Sequence, residues 1–298
     1  MISNVYNAIF FVFTLGFCGV CGLCQGQLAE YAPVPSSVAI ARPTPEEVRL
    51  AEIALARFIE TASVEVQEIY KKFPELISVR VPRPNTAIAP PFLNPRFLAR
   101  HQANVEVAKR GDIDVLFLGD SIMDFWRNPD GAYAGKEILD KYFGNLKVAN
   151  FGISGDTTQG VLYRLKNGEG KGFTPKAVML MIGTNNTAAN TAIEIAEGIG
   201  AVVLELQKDF PTAKILLLGI FPRSLPNDPV RGIISETNSI ISRLHDGKSV
   251  HYMDIGANFL DGEGKIPVEV MSDALHPGPK GYEIWAQSVQ EILATLMK

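Results

Sequence analysis

Val115-Leu116-Phe117-Leu118-Gly119-Asp120-Ser121 joins an unbroken apolar run to a turn and a hydroxyl. Four apolar residues in a row suit a strand covered on both faces, since a strand with one wet face alternates apolar with polar. The same signature recurs outward from this stretch. Asp114 to Leu118, Lys147 to Phe151, Ala177 to Ile182, Lys214 to Gly219 and Val250 to Met253 are short β-prone runs, the first four nearly all apolar. Helical patterns lie between them: Thr158 to Asn167 closed by Gly168, Thr191 to Asp209, and Val230 to Leu244, with a last helix from Gly281 to Leu296. Strands alternating with helices predict an α/β fold, a five-stranded parallel sheet sandwiched between helix layers. Functional residues are then expected in the loops leaving the carboxyl ends of the strands.

Upstream of the first strand the pattern changes. Asn94-Pro95 opens a helix running to about Arg110. Pro74 to Pro95 carries six prolines and reads as an extended surface arm. Thr44-Pro45-Glu46-Glu47 is a capping box with proline in the first turn. Leu55, Ile59, Ala62, Val66, Ile69 and Phe73 follow on one stripe of a helix that Pro74 ends. The stripe is expected to pack on its own domain, with a homodimer seam as the alternative. Tyr31 to Pro43 is Pro/Ser/Ala-rich and reads as a linker. Residues 27–93 thus form a linker, an amphipathic helix and a proline-rich arm before a domain at 94–298.

The first 26 residues differ in kind. No Asp, Glu, Lys, Arg or His precedes Glu30, and Ile9 to Leu23 is almost continuously apolar. That run is short for a membrane span but suits the apolar region of a secretory signal, with Gly22 and Gly26 near candidate cleavage points. The expectation is export, secreted or periplasmic, with an uncleaved anchor as the alternative. Cys18, Cys21 and Cys24 all lie here, leaving residues 25–298 without cysteine. A hydrophobic leader lacking a fourth ligand is a poor metal or cluster site. With 28 basic and 32 acidic side chains the formal charge is −4, which together with the lack of a basic stripe argues against a nucleic-acid partner.

Four polar clusters each follow an expected strand or lie near the C-terminus. Ser121 sits at a strand-to-helix turn, its hydroxyl in the open and its N–H near a helix N-terminus; alone, such a serine reads as a cap. Gly152-Ile153-Ser154-Gly155-Asp156-Thr157-Thr158 holds Gly155, whose backbone can approach a ligand and donate its N–H. The spacing is neither a dinucleotide nor a phosphate loop. Gly183-Thr184-Asn185-Asn186 offers the Asn185 amide. Asp273-Ala274-Leu275-His276-Pro277 sets a carboxylate three residues before an imidazole, so it can orient one ring nitrogen and leave the other as a base. Ester hydrolysis needs a nucleophile, a base, a group orienting that base, and donors for the oxygen that becomes negative. Ser121, His276, Asp273, and then the N–H groups of Ser121 and Gly155 with the Asn185 amide, fill those roles in turn. Nothing in the motif spacing points to a metal or another cofactor. Phe125 and Trp126 either line the acyl site or belong to the core.

These blocks resemble the SGNH (GDSL) hydrolase superfamily over about Asn94 to Leu296. Gly155-Asp156-Thr157-Thr158 and Arg164-Leu165-Lys166-Asn167-Gly168-Glu169 are most similar to the branch containing the platelet-activating-factor acetylhydrolase catalytic subunits and their bacterial relatives. The resemblance implies a flavodoxin-like three-layer fold and metal-free hydrolysis through an acyl-enzyme. It implies Ser121 as nucleophile, His276 as base, Asp273 as orienter, and Ser121, Gly155 and Asn185 as the oxyanion hole. Ser154 departs from a second glycine common among relatives, and Asn186 from a frequent aspartate. The expected function is an exported serine esterase acting on short-chain esters, acetyl foremost, of carbohydrates. Phospholipid-like esters, or a non-catalytic binding protein of the same fold, are the alternatives.

Overall fold

The computed structural model describes residues 32–79 and 83–298; the apolar N-terminal stretch read above as a secretory signal, with its three cysteines, lies outside them. The five strands are β1 (Val115–Gly119), β2 (Val148–Asn150), β3 (Ala177–Met181), β4 (Lys214–Leu218) and β5 (Val250–Met253). They pair in parallel in the order β2-β1-β3-β4-β5, the flavodoxin-like order. The helices are α1 (Pro45–Thr61), α2 (Val64–Lys72), α3 (Pro95–Arg110), α4 (Ser121–Asp124), α5 (Lys136–Phe143), α6 (Thr158–Arg164), α7 (Ala192–Asp209), α8 (Pro229–Ile241) and α9 (Pro279–Leu296).

Alternation along each strand divides the core in two. Leu116, Leu118, Val178, Leu180, Ile215 and Leu217 face a layer formed by α6, α7 and α8. Val115, Phe117, Met179, Met181, Leu216 and Leu218 face α5 and α9, where Trp126 and Trp285 are fully buried. Both faces are dry, which is why these strands carry no polar alternation. Each fully buried Leu, Ile or Phe contributes about 1.5–3 kcal/mol of transfer free energy, so the two faces together hold the sandwich without any disulfide. At the top of β1, an added Cβ on Gly119 would lie 2.3 Å from the Met181 carbonyl oxygen. Only glycine lets β1 and β3 run side by side up to the turn that presents Ser121.

The N-terminal region departs from the sequence reading in three places. The long helix breaks at Ala62, whose backbone is extended, and Ser63 starts α2. Gln67 donates its amide to the Glu60 and Ala62 carbonyls and so satisfies the end of α1. The stripe is covered unevenly: Ile59 is buried, Leu55, Ala62 and Val66 are half-buried, and Ile69 and Phe73 are exposed. The linker is not free, since Ala32 and Val38 are buried, and the Ile40 N–H and Arg42 guanidinium bind the buried Glu197 carboxylate. The proline-rich arm is not merely superficial either. Asn85, Ala87 and Ile88 are buried, Asn85 donates to Glu197, and Arg83 pairs with Glu194. A buried carboxylate on α7 needs donors; the upstream chain supplies them.

Candidate active site

The loops at the carboxyl ends of β1, β2 and β3 meet the turn before α9. Asp120 caps α4 by accepting from the Ile122 N–H at 2.9 Å, and Ser121 follows as the first helical residue. Ser121 Oγ lies 2.9 Å from His276 Nε2. His276 Nδ1 lies 2.7 Å from Asp273 Oδ2. The sequence spacing of three works because Asp273 Oδ1 accepts from the Leu275 and His276 N–H groups, curling the turn back on itself. Ala274 pays for that curl with a left-handed backbone, φ 54°, an uncommon conformation for a residue with a Cβ. Its carbonyl accepts from the N–H of Ser224, also left-handed at φ 60°. Partial burial pushes the Asp273 carboxyl up, but hydrogen bonds from His276 and from the Tyr133 hydroxyl outweigh it and hold the group at about 2. Asp273 is therefore an anion at neutral pH, facing the imidazole.

Gly155 has φ 83°, and an added Cβ there would meet nothing within 4 Å. The glycine is needed for backbone conformation rather than for space. Among the described residues neither the Gly155 nor the Ser121 N–H donates to a protein acceptor. Asn185 donates one amide hydrogen to the Asp156 carbonyl at 2.7 Å, which ties its side chain to the Gly155 loop and leaves the second hydrogen available. The Ile153 N–H donates to the Gly119 carbonyl at 3.2 Å, linking that loop to the turn that carries Ser121.

The two departures from the family pattern have local explanations. Ser154 donates its N–H and hydroxyl to Asp124 Oδ2, at 3.1 and 2.8 Å. Asp124 in turn pairs with Arg127, which also donates to the Asn150 and Gly152 carbonyls. Asn186 accepts from the Thr158 N–H and donates to Gln159 and Asn190. A carboxylate there could accept but not donate.

Several participants had no assigned role from sequence. Tyr133 donates to Asp273 Oδ2 at 2.9 Å, and Phe125 stacks on Tyr133 and approaches the His276 ring at 5.1 Å. Trp126, by contrast, is core. Arg164 and Glu169, noted only as part of a resembling block, are both fully buried. Arg164 binds Asp156, Glu169 and the carbonyls of Phe151 and Gly119, while Glu169 also meets His101 at 2.9 Å. Among the described residues no three His, Cys, Asp or Glu side chains gather as a metal-ligand set.

Asp120 is fully buried and its Oδ2 has no partner. Burial, with Asp156 nearby, pushes its carboxyl up to about 7. The folded chain thus holds a proton that an unfolded Asp releases near its ordinary 3.8. The associated stability is complete below that value and is lost as pH rises through about 7. Asp120→Asn keeps an acceptor for Ile122 and removes the titration. Urea unfolding at about pH 5 and about pH 8 should show a flatter pH slope in the variant, by on the order of a few kcal/mol. An unchanged slope would mean that Asp120 is ionised throughout.

Residues 117–284 match the model of the GDSL-like Lipase/Acylhydrolase family. Platelet-activating factor acetylhydrolase IB subunit alpha2 of Rattus norvegicus is 35% identical over 204 residues, 68% of this chain and 86% of the relative. Subunit alpha1 of the same organism is 32% identical over 203 residues, 68% and 84% of the respective chains. Two solved structures share the fold. A putative platelet activating factor from Streptococcus pneumonia has a TM-score of 0.53 at 21% identity, covering 66% of this chain and 94% of its own. A putative acylhydrolase from Bacteroides fragilis NCTC 9343 has a TM-score of 0.54 at 18% identity, covering 70% and 100%. With the Ser121 turn and the His276 block inside the matched span, the chain belongs to the GDSL-like lipase/acylhydrolase family.

Proposed function

We propose that the protein is a serine esterase that removes short acyl groups, acetyl foremost, through an acyl-enzyme. The observation that carries this reading is the continuous relay from Ser121 Oγ through His276 to Asp273, at 2.9 and 2.7 Å. His276 Nε2 takes the hydroxyl proton as Ser121 attacks the ester carbonyl. Asp273, kept anionic, stabilises the imidazolium and fixes its tautomer. The Ser121 and Gly155 N–H groups and the free Asn185 amide hydrogen donate to the tetrahedral oxyanion, where each such donor typically supplies about 3–4 kcal/mol. The proton on Nε2 passes to the leaving alcohol, and water activated by the same imidazole releases the acid.

The acetyl preference draws on the names of the relatives at 32–35% identity, both acetylhydrolases. The carbohydrate alcohol and a secreted or periplasmic location draw on the apolar, uncharged N-terminal segment. Acetylated phospholipid-like esters form the second reading, favoured by those same names. A panel of p-nitrophenyl acetate, butyrate and octanoate, with acetylated xylan and an acetyl phospholipid, tests both. Acetate should have the highest kcat/KM, falling with chain length, and acetate release should be faster from xylan. A preference for octanoate would overturn the short-acyl reading, and faster release from the phospholipid would reverse the choice of alcohol.

A further inference from the structure

Beside the oxyanion loop lies a cleft of about 930 Å³ whose wall includes Gly155 itself. Its volume is at the upper end of small-molecule sites. Much of it is built by residues upstream of the family match: Phe92 stands 90% exposed at its edge, and Arg96 and Arg100 on α3 line it. Arg127 and Gln159 also line it.

The charges in the cleft are unevenly satisfied. Asp156 is committed to the buried Arg164. Asp124 is already engaged: Oδ1 pairs with Arg127, and Oδ2 accepts twice from Ser154. Arg100 is left outside. Its nearest carboxylate oxygen, Asp124 Oδ1, is 3.8 Å away, beyond hydrogen-bond reach. Its Nε is buried with no partner. Among the described residues Arg96 pairs with no carboxylate. A guanidinium carries five donors in a planar fork suited to carboxylate or phosphate, and leaving a buried one unmade is unfavourable. The Arg100 side chain is 37% exposed, so the outer guanidinium nitrogens can meet an acceptor that enters the cleft.

We infer that the cleft binds an anionic oxygen group, carboxylate or phosphate, carried by the alcohol part of the ester, with Arg100 as its principal donor and Arg96 supporting. This rests on the esterase reading, because Gly155 joins the cleft to the carbonyl being attacked. Phe92 offers an apolar face for the alcohol's carbon skeleton. The alcohol is then recognised by charge, while the acyl group is processed by the relay.

Two arms distinguish the source of the charge, using the full chain. kcat/KM is measured for acetylated glucuronic acid against acetylated glucose, and for 1-acetylglycerol 3-phosphate against 1-acetylglycerol. At least one charged ester should exceed its neutral partner by roughly tenfold or more at low salt. The ratio should collapse toward one in Arg100→Gln. A ratio near one in the native chain, or an equal drop for charged and neutral esters in Arg100→Gln, overturns the inference. A second measurement is independent of turnover: calorimetric binding of glucuronate and of glycerol 3-phosphate to Ser121→Ala, and to Ser121→Ala combined with Arg100→Gln. Binding that weakens with salt and is lost in the double variant upholds the site; no binding of either anion overturns it. Should none of the esters be hydrolysed, the esterase reading falls, and calorimetry alone decides the anion site.

Discussion

Ser121→Ala is expected to lower kcat for p-nitrophenyl acetate by on the order of 10⁴–10⁶-fold while leaving the fold intact. In the proposed mechanism the loss is large because the hydroxyl forms the covalent bond, and the base and oxyanion hole have nothing to act on once it is gone. Stability should change little, since the hydroxyl contributes one hydrogen bond, to His276 at 2.9 Å, with a net worth of about 1 kcal/mol. Thermal unfolding close to that of the native chain, together with lost turnover, separates a chemical role from a structural one. A serine-directed organophosphate should label the native chain at Ser121, displacing its leaving group and adding one phosphoryl mass. Retention of more than a few per cent of activity in the alanine variant, or label on another serine, would sink the assignment. The same result would move the chain toward a binding protein of this fold.

Arg164→Met should be the most destabilising single change near the site, by about 3–5 kcal/mol. The side chain is fully buried between Asp156 and Glu169, and its Nη1 donates to the Phe151 carbonyl at 2.8 Å. Without the guanidinium, two buried carboxyls face each other and at least one must take up a proton. Glu169 would keep His101 and Asn104, but Asp156 would keep mainly the Thr157 N–H. Because Asp156 adjoins Gly155 and receives the Asn185 amide at its carbonyl, activity should fall along with stability. Arg164→Lys restores charge without the fork that spans both carboxylates and should recover only part of either property. Urea midpoints for the three proteins check this. An Arg164→Met midpoint equal to the native one would show that the buried trio is not a stabilising element.

The contrast between Ser121 and Arg164 marks how far the linear chain can be read. Ser121, Asp273 and His276 were legible because each sits in a short block whose local turn already shapes the chemistry. Asp273 and His276 even complete their contact within four residues. Asn185 and Gly155 were legible for the same reason, through a turn after a strand. Arg164 and Glu169 were visible only as wording shared with a family, since nothing in a helical arginine announces that it will be buried. Tyr133, Asp124 and the orphaned Arg100 carried no local signal, because each matters through a neighbour distant in sequence.

The upstream region shows the opposite failure. Proline content reads as an extended arm, yet Thr86–Ile88 form a 3-10 turn capped by Asn85, and composition does not report which carboxylates elsewhere lack donors. Glu197 and Glu194 on α7 were the missing information, and they draw the segment inward through Arg42, Arg83 and Asn85. The amphipathic stripe from Leu55 to Phe73 was likewise real as a periodicity, yet the break at Ala62 divides it.

From sequence alone came the layer order of the domain, the loops that hold the candidate site and the three residues that hydrogen-bond in series there, because periodicity and turn chemistry act over a few residues and survive in one dimension. The path of the N-terminal strap, the buried Arg164 network and the unsatisfied cleft beside Gly155 were decided only by the folded chain. Burial and charge pairing are properties of what surrounds a side chain, and that neighbourhood comes into being only when distant segments are packed together.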